Sequence, residues 1–467
     1  MKILHTADWH MNDTLGRVDR TDDILRAVEQ IAAYLEQHEV DVLIVAGDLF
    51  SERSRPDAMR RAVGKIKDIF LPFLARGGTM LAISGNHDSE VFFETMRDAL
   101  DLVAPGKRAT GSTHAVGRLW VAPNARTITL ADAHGTKVQF VLMPYPTARG
   151  YLQGTDQSYA TIEEKHRAIQ SIFRNTLDDL KSKIDETLPS VLVSHIHVRG
   201  AQAHTLYKVT EVEDVIFEPG DIPTGWAYVA FGHIHKPQAP LAGASHIRYC
   251  GSIERLDYAE RDDQKSVVLI EVGPQGRIGE PQLLPLQSTP LHRIEIYDPS
   301  MEMAQLKQRY PDAATALVNY TLHWQPGRDN RDAICRELNE IFPRWYSREF
   351  VEIGRGEFGG LFTASGLNLR DVPGTVRDYL QTQLRAHAGR EAVLALAESL
   401  LAEREKESAA APGQPASAVA VAAPAGDAAP AKNTATAASA ELDANSDAEA
   451  GQDSTQDSTL FEEITAS

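Results

Sequence analysis

Five short clusters of Asp, His and Asn each follow directly on a run of apolar residues. Asp8 and His10 follow 2–7, Asp48 follows 42–47, and Asn86, His87 and Asp88 follow 80–85; His195 and His197 follow 191–194, and His233 and His235 follow 228–232. Carboxylate oxygen and imidazole nitrogen without thiolate form a donor set for catalytic divalent metals rather than for a structural zinc. Two such ions about 3.5–4 Å apart polarise a phosphoryl oxygen, activate water near neutral pH and neutralise charge during an in-line displacement. Each cluster also has a plainer reading. Asp-x-His after a strand is ordinarily a turn or a helix cap, Gly47-Asp48 a turn, and Gly85 before Asn86 a supplier of positive φ. Two imidazoles side by side at a strand end, as in Gly232-His233-Ile234-His235, are less ordinary. All five clusters recur behind apolar runs, which favours one common site over five separate turns.

Residues so far apart can meet only if the fold gathers them. The first 270 residues alternate short apolar strands with amphipathic helices: strand 2–6, helix 24–35, strand 42–46, helix 58–74, strand 80–84. That rhythm is α/β, and in such sheets the carboxyl ends of strands converge on one crevice. After residue 100 the strands come closer together, at 119–122, 138–143, 191–194, 228–232, 246–249 and 267–272, which suggests sheets packed face to face with helices outside. From about Pro281 a strand at 292–297, a helix at 303–309, a strand at 318–323, a helix at 331–341 and a strand at 349–353 read as a small separate α+β module. The expected organisation is a catalytic domain at 1–280, the module at 281–353, a Gly-rich linker at 354–369, a helical pair at 370–407 and a disordered acidic tail at 408–467. In the pair, Val376, Tyr379, Leu380 and Leu384 fall on one face, and Val393, Leu396, Ala397, Leu400 and Leu401 on another, at helical spacing.

Composition excludes some functions. With 467 residues, 43% hydrophobic and 24% charged, the chain reads as a multidomain globular protein, and no apolar run reaches membrane-spanning length. Met1 to His10 lacks the apolar stretch of a secretory signal, so a cytoplasmic location is expected. Cys250 and Cys335 alone make no disulfide framework or metal knuckle. The net charge is −18, and the nine acidic residues and one lysine of 408–467 leave about −10 on the rest. A polyanionic partner would therefore have to be met by local cations, such as bound metals, and not by a global basic field.

In their order, Asp-x-His, Gly-Asp, Gly-Asn-His-Asp, a lone His and Gly-His-x-His resemble the calcineurin-like metallophosphoesterase signature. That resemblance implies a two-sheet β-sandwich flanked by helices, carrying the α+β module as a cap. It implies Asp8, His10 and His235 as ligands of one ion, Asn86, His195 and His233 as ligands of a second, and Asp48 as the bridge. His195 is preferred over His197 because it comes directly off the strand. His87 resembles the acid that protonates the leaving oxygen, with Asp88 placed to orient it. The two ions implied are manganese.

Flanking residues narrow the branch. Protein phosphatases of this superfamily carry Asp and Arg three and four positions past the bridging Asp and read Gly-Asn-His-Glu, whereas this chain has Ser51, Glu52 and Asp88. The stretches at 5–10 (HTADWH), 45–50 (VAGDLF), 83–89 (ISGNHDS), 228–238 (YVAFGHIHKPQ) and 248–260 (RYCGSIERLDYAE) resemble the SbcD branch of DNA repair nucleases. Departures are Met11 and Asn12 in place of a Leu-Gly pair, and a longer segment from Glu211 to Thr224. The resemblance implies an exonuclease and endonuclease acting on DNA ends in double-strand-break repair, a DNA-contacting cap, an SbcC-type coiled-coil ATPase docked on the helical pair, and a homodimer. Met59, Val63, Ile66 and Phe70 with Phe92, Met96, Leu100 and Val103 offer stripes for self-pairing. Arg53, Arg55, Lys236 and Arg255 are candidate phosphate contacts, and 456–461 (QDSTLF) loosely resembles a sliding-clamp peptide. Two rival functions share these residues: a small-substrate phosphodiesterase, and a non-catalytic scaffold for DNA ends. A scaffold would not need all seven ligands and His87.

Overall fold

The computed structural model describes residues 1–51, 54–103, 117–152, 159–203 and 214–353, together with 391, 393–397, 399 and 400. Arg53, Val376, Tyr379, Leu380, Leu384, the linker, the acidic tail and its terminal peptide lie outside them.

Period-two alternation along the strands separates the layers. On Lys2–Thr6, Leu4 packs with Ile24, Val28 and Ile31 of helix Thr21–Gln37, whereas its neighbour Ile3 packs with Val138 and Phe140 of a second sheet. Strands Val42–Ala46 and Thr79–Ile83 repeat the pattern and are buried on both faces, which is why they read as unbroken apolar runs. The first sheet has six strands in the order Gly276–Pro285, Ser266–Gly273, Lys2–Thr6, Val42–Ala46, Thr79–Ile83, Leu119–Ala122. The second has five, in the order Ile247–Tyr249, Tyr228–Gly232, Ser190–His195, Lys137–Met143, Arg126–Ala131. A core of Ile44, Leu81, Ile83, Leu142, Val193 and Tyr228 fills the space between them. Helix Ile162–Ser182, capped by the Thr161 side chain accepting from the Glu164 amide, covers the outer face of the second sheet through Ile169, Phe173 and Leu177. The result is a two-sheet sandwich with helices on both outer faces, the architecture expected from the sequence.

The pairings that carry the clusters are parallel: Lys2–Thr6 with Val42–Ala46, Val42–Ala46 with Thr79–Ile83, and Ser190–His195 with Tyr228–Gly232. Their carboxyl ends therefore lie at one edge of the sandwich. The first sheet continues past residue 280, because strand Gly276–Pro285 pairs with Ser266–Gly273 as far as Pro285. As an edge strand it is mostly exposed, so its sequence lacks the alternation that would mark it, and Pro281 is tolerated there.

The cap runs strand Leu291–Ile296, helix Pro299–Arg309, strand Leu317–Trp324, helix Arg331–Ile341, strand Trp345–Glu352. Its three strands are all parallel, so each helix is a crossover, and the module is more strictly α/β than the α+β expected. Met303, Leu306, Leu338, Ile341 and Phe342 pack on Ile294, Val318, Tyr320 and Leu322. A buried ion cluster joins cap to body. Asp23 accepts from Arg20 Nε at 2.7 Å and pairs with Arg26 and with Arg344 of the cap, while the Arg17 guanidinium lies 4.3 Å from the Trp345 ring centroid. Glu254 accepts from the Thr289 amide and hydroxyl in the connection. Arg20 is fully buried, so Asp23→Ala strands its charge and is expected to cost about 3–5 kcal/mol of stability in urea denaturation. An unchanged midpoint would show that Glu254, 3.7 Å from Arg20 Nη2, suffices alone.

Much of the two stripes offered for self-pairing is used within the chain. Ile66 and Phe70 are buried in the core, and Met59, Val63, Phe92, Met96 and Leu100 pack against it. Among the described residues no helix is long and apolar enough to cross a membrane.

Candidate metal centre

The loops after the parallel strands are held in conformations that ordinary side chains avoid. Asp8, His10, Asp48 and His233 all have positive φ, at 52°, 47°, 53° and 92°. Left-handed backbone costs of order 1–3 kcal/mol per non-Gly residue, and it persists where surrounding structure dictates it. Here the dictating contacts are visible. The Trp9 and His10 amides both donate to the Asp48 carbonyl, the His233 amide donates to Asp8 Oδ1 at 2.9 Å, and the His87 amide donates to Asp48 Oδ1 at 2.9 Å. Gly85 permits the last approach, since a Cβ there would overlap the Asp48 carboxylate.

The structure brings all seven candidate ligands together. Asp8, His10 and His235 converge on one point, and Asn86, His195 and His233 on another, with Asp48 Oδ2 between them at 3.6 Å from His10 Nε2 and 3.2 Å from His195 Nε2. Hydrogen bonds behind the rings fix which nitrogen faces inward. His195 Nδ1–H donates to the Ala46 carbonyl at 2.7 Å, so Nε2 faces Asn86 Oδ1 at 3.0 Å and Asp48. His235 Nδ1–H donates to Glu260 Oε1 at 2.9 Å, so Nε2 faces His10 Nε2 at 3.3 Å. His233 Nε2–H donates to Asp214 Oδ2 at 2.8 Å, so Nδ1 faces Asn86 Oδ1 at 3.0 Å. With the rings neutral, the inward atoms are thus acceptors facing acceptors, and Asp8 Oδ2 is buried with no hydrogen-bond partner. Such a cluster is satisfied by cations. The donor set fits two divalent ions, which would supply Lewis acidity and charge neutralisation at a phosphoryl group.

Electrostatics agree with that fit. Burial alone would lower the His195 pKa, but Asp48 and Asp8 beside it outweigh burial and raise it to about 9. Burial likewise opposes protonation of His235, and Glu260 reverses it, raising the pKa. Asp48 is held well below the usual carboxylate range, because the His195 and His10 rings overcome its burial. Protons therefore stand where ions would bind, and binding must expel them. Metal affinity is expected to rise with pH, by up to about tenfold per unit for each proton displaced, until pH passes the His195 value of about 9. Titration of metal into the apo protein between pH 6 and 9 measures this, and a flat profile would contradict it.

His87 sits beside the cluster, its ring centroid 4.9 Å from that of His10. Asp88 has a part beyond the one expected. Among the described residues its carboxylate accepts from the backbone amides of Gly85, Leu49 and Phe50, at 2.9, 3.2 and 3.0 Å. It ties the Asp48 loop to the His87 loop. Burial raises its pKa to about 7, with the Asp48 charge adding to that. Of the candidate phosphate contacts, Arg55 is exposed at the start of helix Pro56–Ala75, and Lys236 Nζ donates to Gln202 Oε1 at 3.1 Å. Arg255 is committed elsewhere, its Nε and Nη2 donating to the Asp263 carbonyl as part of a turn.

Two acidic residues that the sequence did not single out support the imidazoles. Glu260, held by Lys265 Nζ at 2.6 Å and the Ser252 hydroxyl at 3.0 Å, anchors His235. It ends the 248–260 segment, so that segment had flagged it without assigning its chemistry. Asp214 comes from the long 211–224 segment and had no flag of its own. His197, set aside as a ligand, turns its Nδ1 to Asp214 Oδ2 at 3.3 Å.

A model of the calcineurin-like phosphoesterase family matches residues 1–237. A curated relative, the SbcD subunit of the nuclease SbcCD from Escherichia coli (strain K12), is 29% identical over 287 residues, covering 58% of this chain and 64% of its own length. Its namesake from Bacillus subtilis (strain 168) is 25% identical over 281 residues, covering 59% and 67%. The chain therefore matches about two thirds of the length of these relatives. A dimetal phosphatase structure from Danio rerio aligns with a TM-score of 0.35 and 11% identity, over 62% of this chain and 99% of that one.

Proposed function

The chain belongs to the calcineurin-like phosphoesterase family, and from that premise we propose that it is a two-metal phosphodiesterase that cuts DNA, the nuclease subunit of a double-strand-break repair complex. The observation that carries the chemistry is the convergence of six candidate ligands around Asp48 with His87 alongside. Asp8, His10 and His235 hold one ion, Asn86, His195 and His233 the other, and the ions are manganese. His87 is the general acid for the leaving oxygen. The relatives named as SbcD subunits of the nuclease SbcCD support DNA as the substrate and an SbcC-type ATPase as the partner. The exposed Val393, Leu396 and Leu400 on the described part of the last helix support a docking role for that segment. A homodimer through the outer faces of helices Pro56–Ala75 and Glu90–Val103, where Leu71 and Val91 are exposed, completes the proposal.

The test sets labelled double-stranded DNA beside a small chromogenic phosphodiester, with manganese, with and without a coiled-coil ATPase encoded nearby. DNA cleavage that the ATPase stimulates on blocked or hairpin ends is the expected result. Turnover of the small ester with DNA left intact under every condition would mean that the fold serves a small substrate.

A further inference from the structure

The inward-facing imidazoles differ in what stands behind them. His195 rests on a backbone carbonyl, His235 on Glu260, and His233 on Asp214. Asp214 reaches that position because Val215 and Phe217 are buried under helix Ile162–Ser182, and because strand Ile216–Phe217 pairs in parallel with His197–Val198. Gln170 Nε2 donates to the Ile216 carbonyl at 2.6 Å and pins the segment from the helix side.

The Asp214 carboxylate is fully engaged. Oδ1 accepts from the Tyr145 hydroxyl at 3.1 Å and from the Val215 amide at 2.9 Å, while Oδ2 accepts from His233 Nε2 at 2.8 Å and faces His197 Nδ1 at 3.3 Å. A carboxylate so saturated is not itself waiting for an ion, although His197, Asp214 and His233 lie close enough together to suggest one. The Tyr145 ring, whose centroid is 5.7 Å from that of His233, closes the other side of the imidazole.

We infer that Asp214 is a positioning residue: it holds His233 as the Nε2–H tautomer, so that Nδ1 is the lone-pair donor to the ion shared with Asn86 and His195. Glu260 does the same for His235 and the ion shared with Asp8 and His10. Each half of the centre then has its own carboxylate anchor, drawn from a different loop, and the two ions can be weakened one at a time. This rests on the two-metal reading of the centre and is independent of which phosphodiester is cut.

Asp214→Asn is the informative variant. The Val215 amide is a donor and keeps the Asn carbonyl on its side, which turns the amide NH2 toward His233. Nε2 must then accept, the proton moves to Nδ1, and the ring presents N–H where the ion should bind. Support of this kind is typically worth about 10–100-fold in metal affinity. Manganese titration followed by elemental analysis is therefore expected to show two ions in wild type, one of them weakened about 10–100-fold in Asp214→Asn, and the other weakened in Glu260→Gln. Long-range proton–nitrogen correlation of the apo proteins reads the tautomer directly, Nε2–H for His233 in wild type and Nδ1–H in the variant. Both ions held at wild-type affinity in Asp214→Asn, or both lost together, would overturn the assignment. Should the variant not fold, the wild-type spectrum decides, and Nδ1–H on His233 there would overturn it. Fewer than two ions in wild type would remove the two-metal reading, and this inference with it.

Discussion

His87→Ala is expected to lower DNA cleavage about 10²–10⁴-fold and leave the metal content unchanged. The loss follows from the removal of the proposed proton donor at the leaving oxygen, since the inward nitrogens of His10, His195, His233 and His235 would be taken up by the ions. The metal content should survive because the backbone amide of residue 87, which the substitution keeps, donates to Asp48. A competing reading exists in the geometry, since His87 lies close enough to His10 and Asp48 to be a ligand itself. Counting ions in the variant separates the two: an ion lost together with activity would make His87 a ligand and leave the acid role unfilled.

Asp48→Ala is the second large effect. The carboxylate at this position faces both halves of the cluster, and its Oδ1 also fixes the His87 loop. Its removal separates the two ion positions and leaves His10 and His195 without the charge that draws a cation in. Losing the ions forfeits several kcal/mol of transition-state stabilisation, on the order of 10³-fold or more in rate. Activity and metal binding should fall together, in contrast to His87→Ala. A variant that still bound two ions would contradict the bridging role.

Much of this was legible in the sequence for a physical reason. Strands Lys2–Thr6, Val42–Ala46 and Tyr228–Gly232 are buried on both faces and stop abruptly before the candidate ligands, so their limits can be read directly. Strand Arg126–Ala131 passed unnoticed because only Ile128 of its side chains is buried, and the edge strand running to Pro285 for the same lack of alternation. The candidate ligands announced themselves by sitting next to strand ends. Their supports did not. Glu260 and Asp214 lie in long polar stretches, and only tertiary packing brings them behind His235 and His233. Asp88 was legible as part of the motif, yet its function of clamping two loops by backbone amides leaves no trace in spacing. The parallel order of the cap follows from its strand–helix–strand–helix–strand sequence, because a helix between two strands of one sheet is a crossover.

The most direct measurement is anomalous diffraction from crystals of the protein grown with manganese. Two peaks about 3.5–4 Å apart are expected, one against Asp8, His10 and His235, the other against Asn86, His195 and His233, with the Asp48 carboxylate touching both. A single peak, or two peaks with Asp48 bound to only one, would contradict the bridged two-metal centre on which the proposed cleavage chemistry depends.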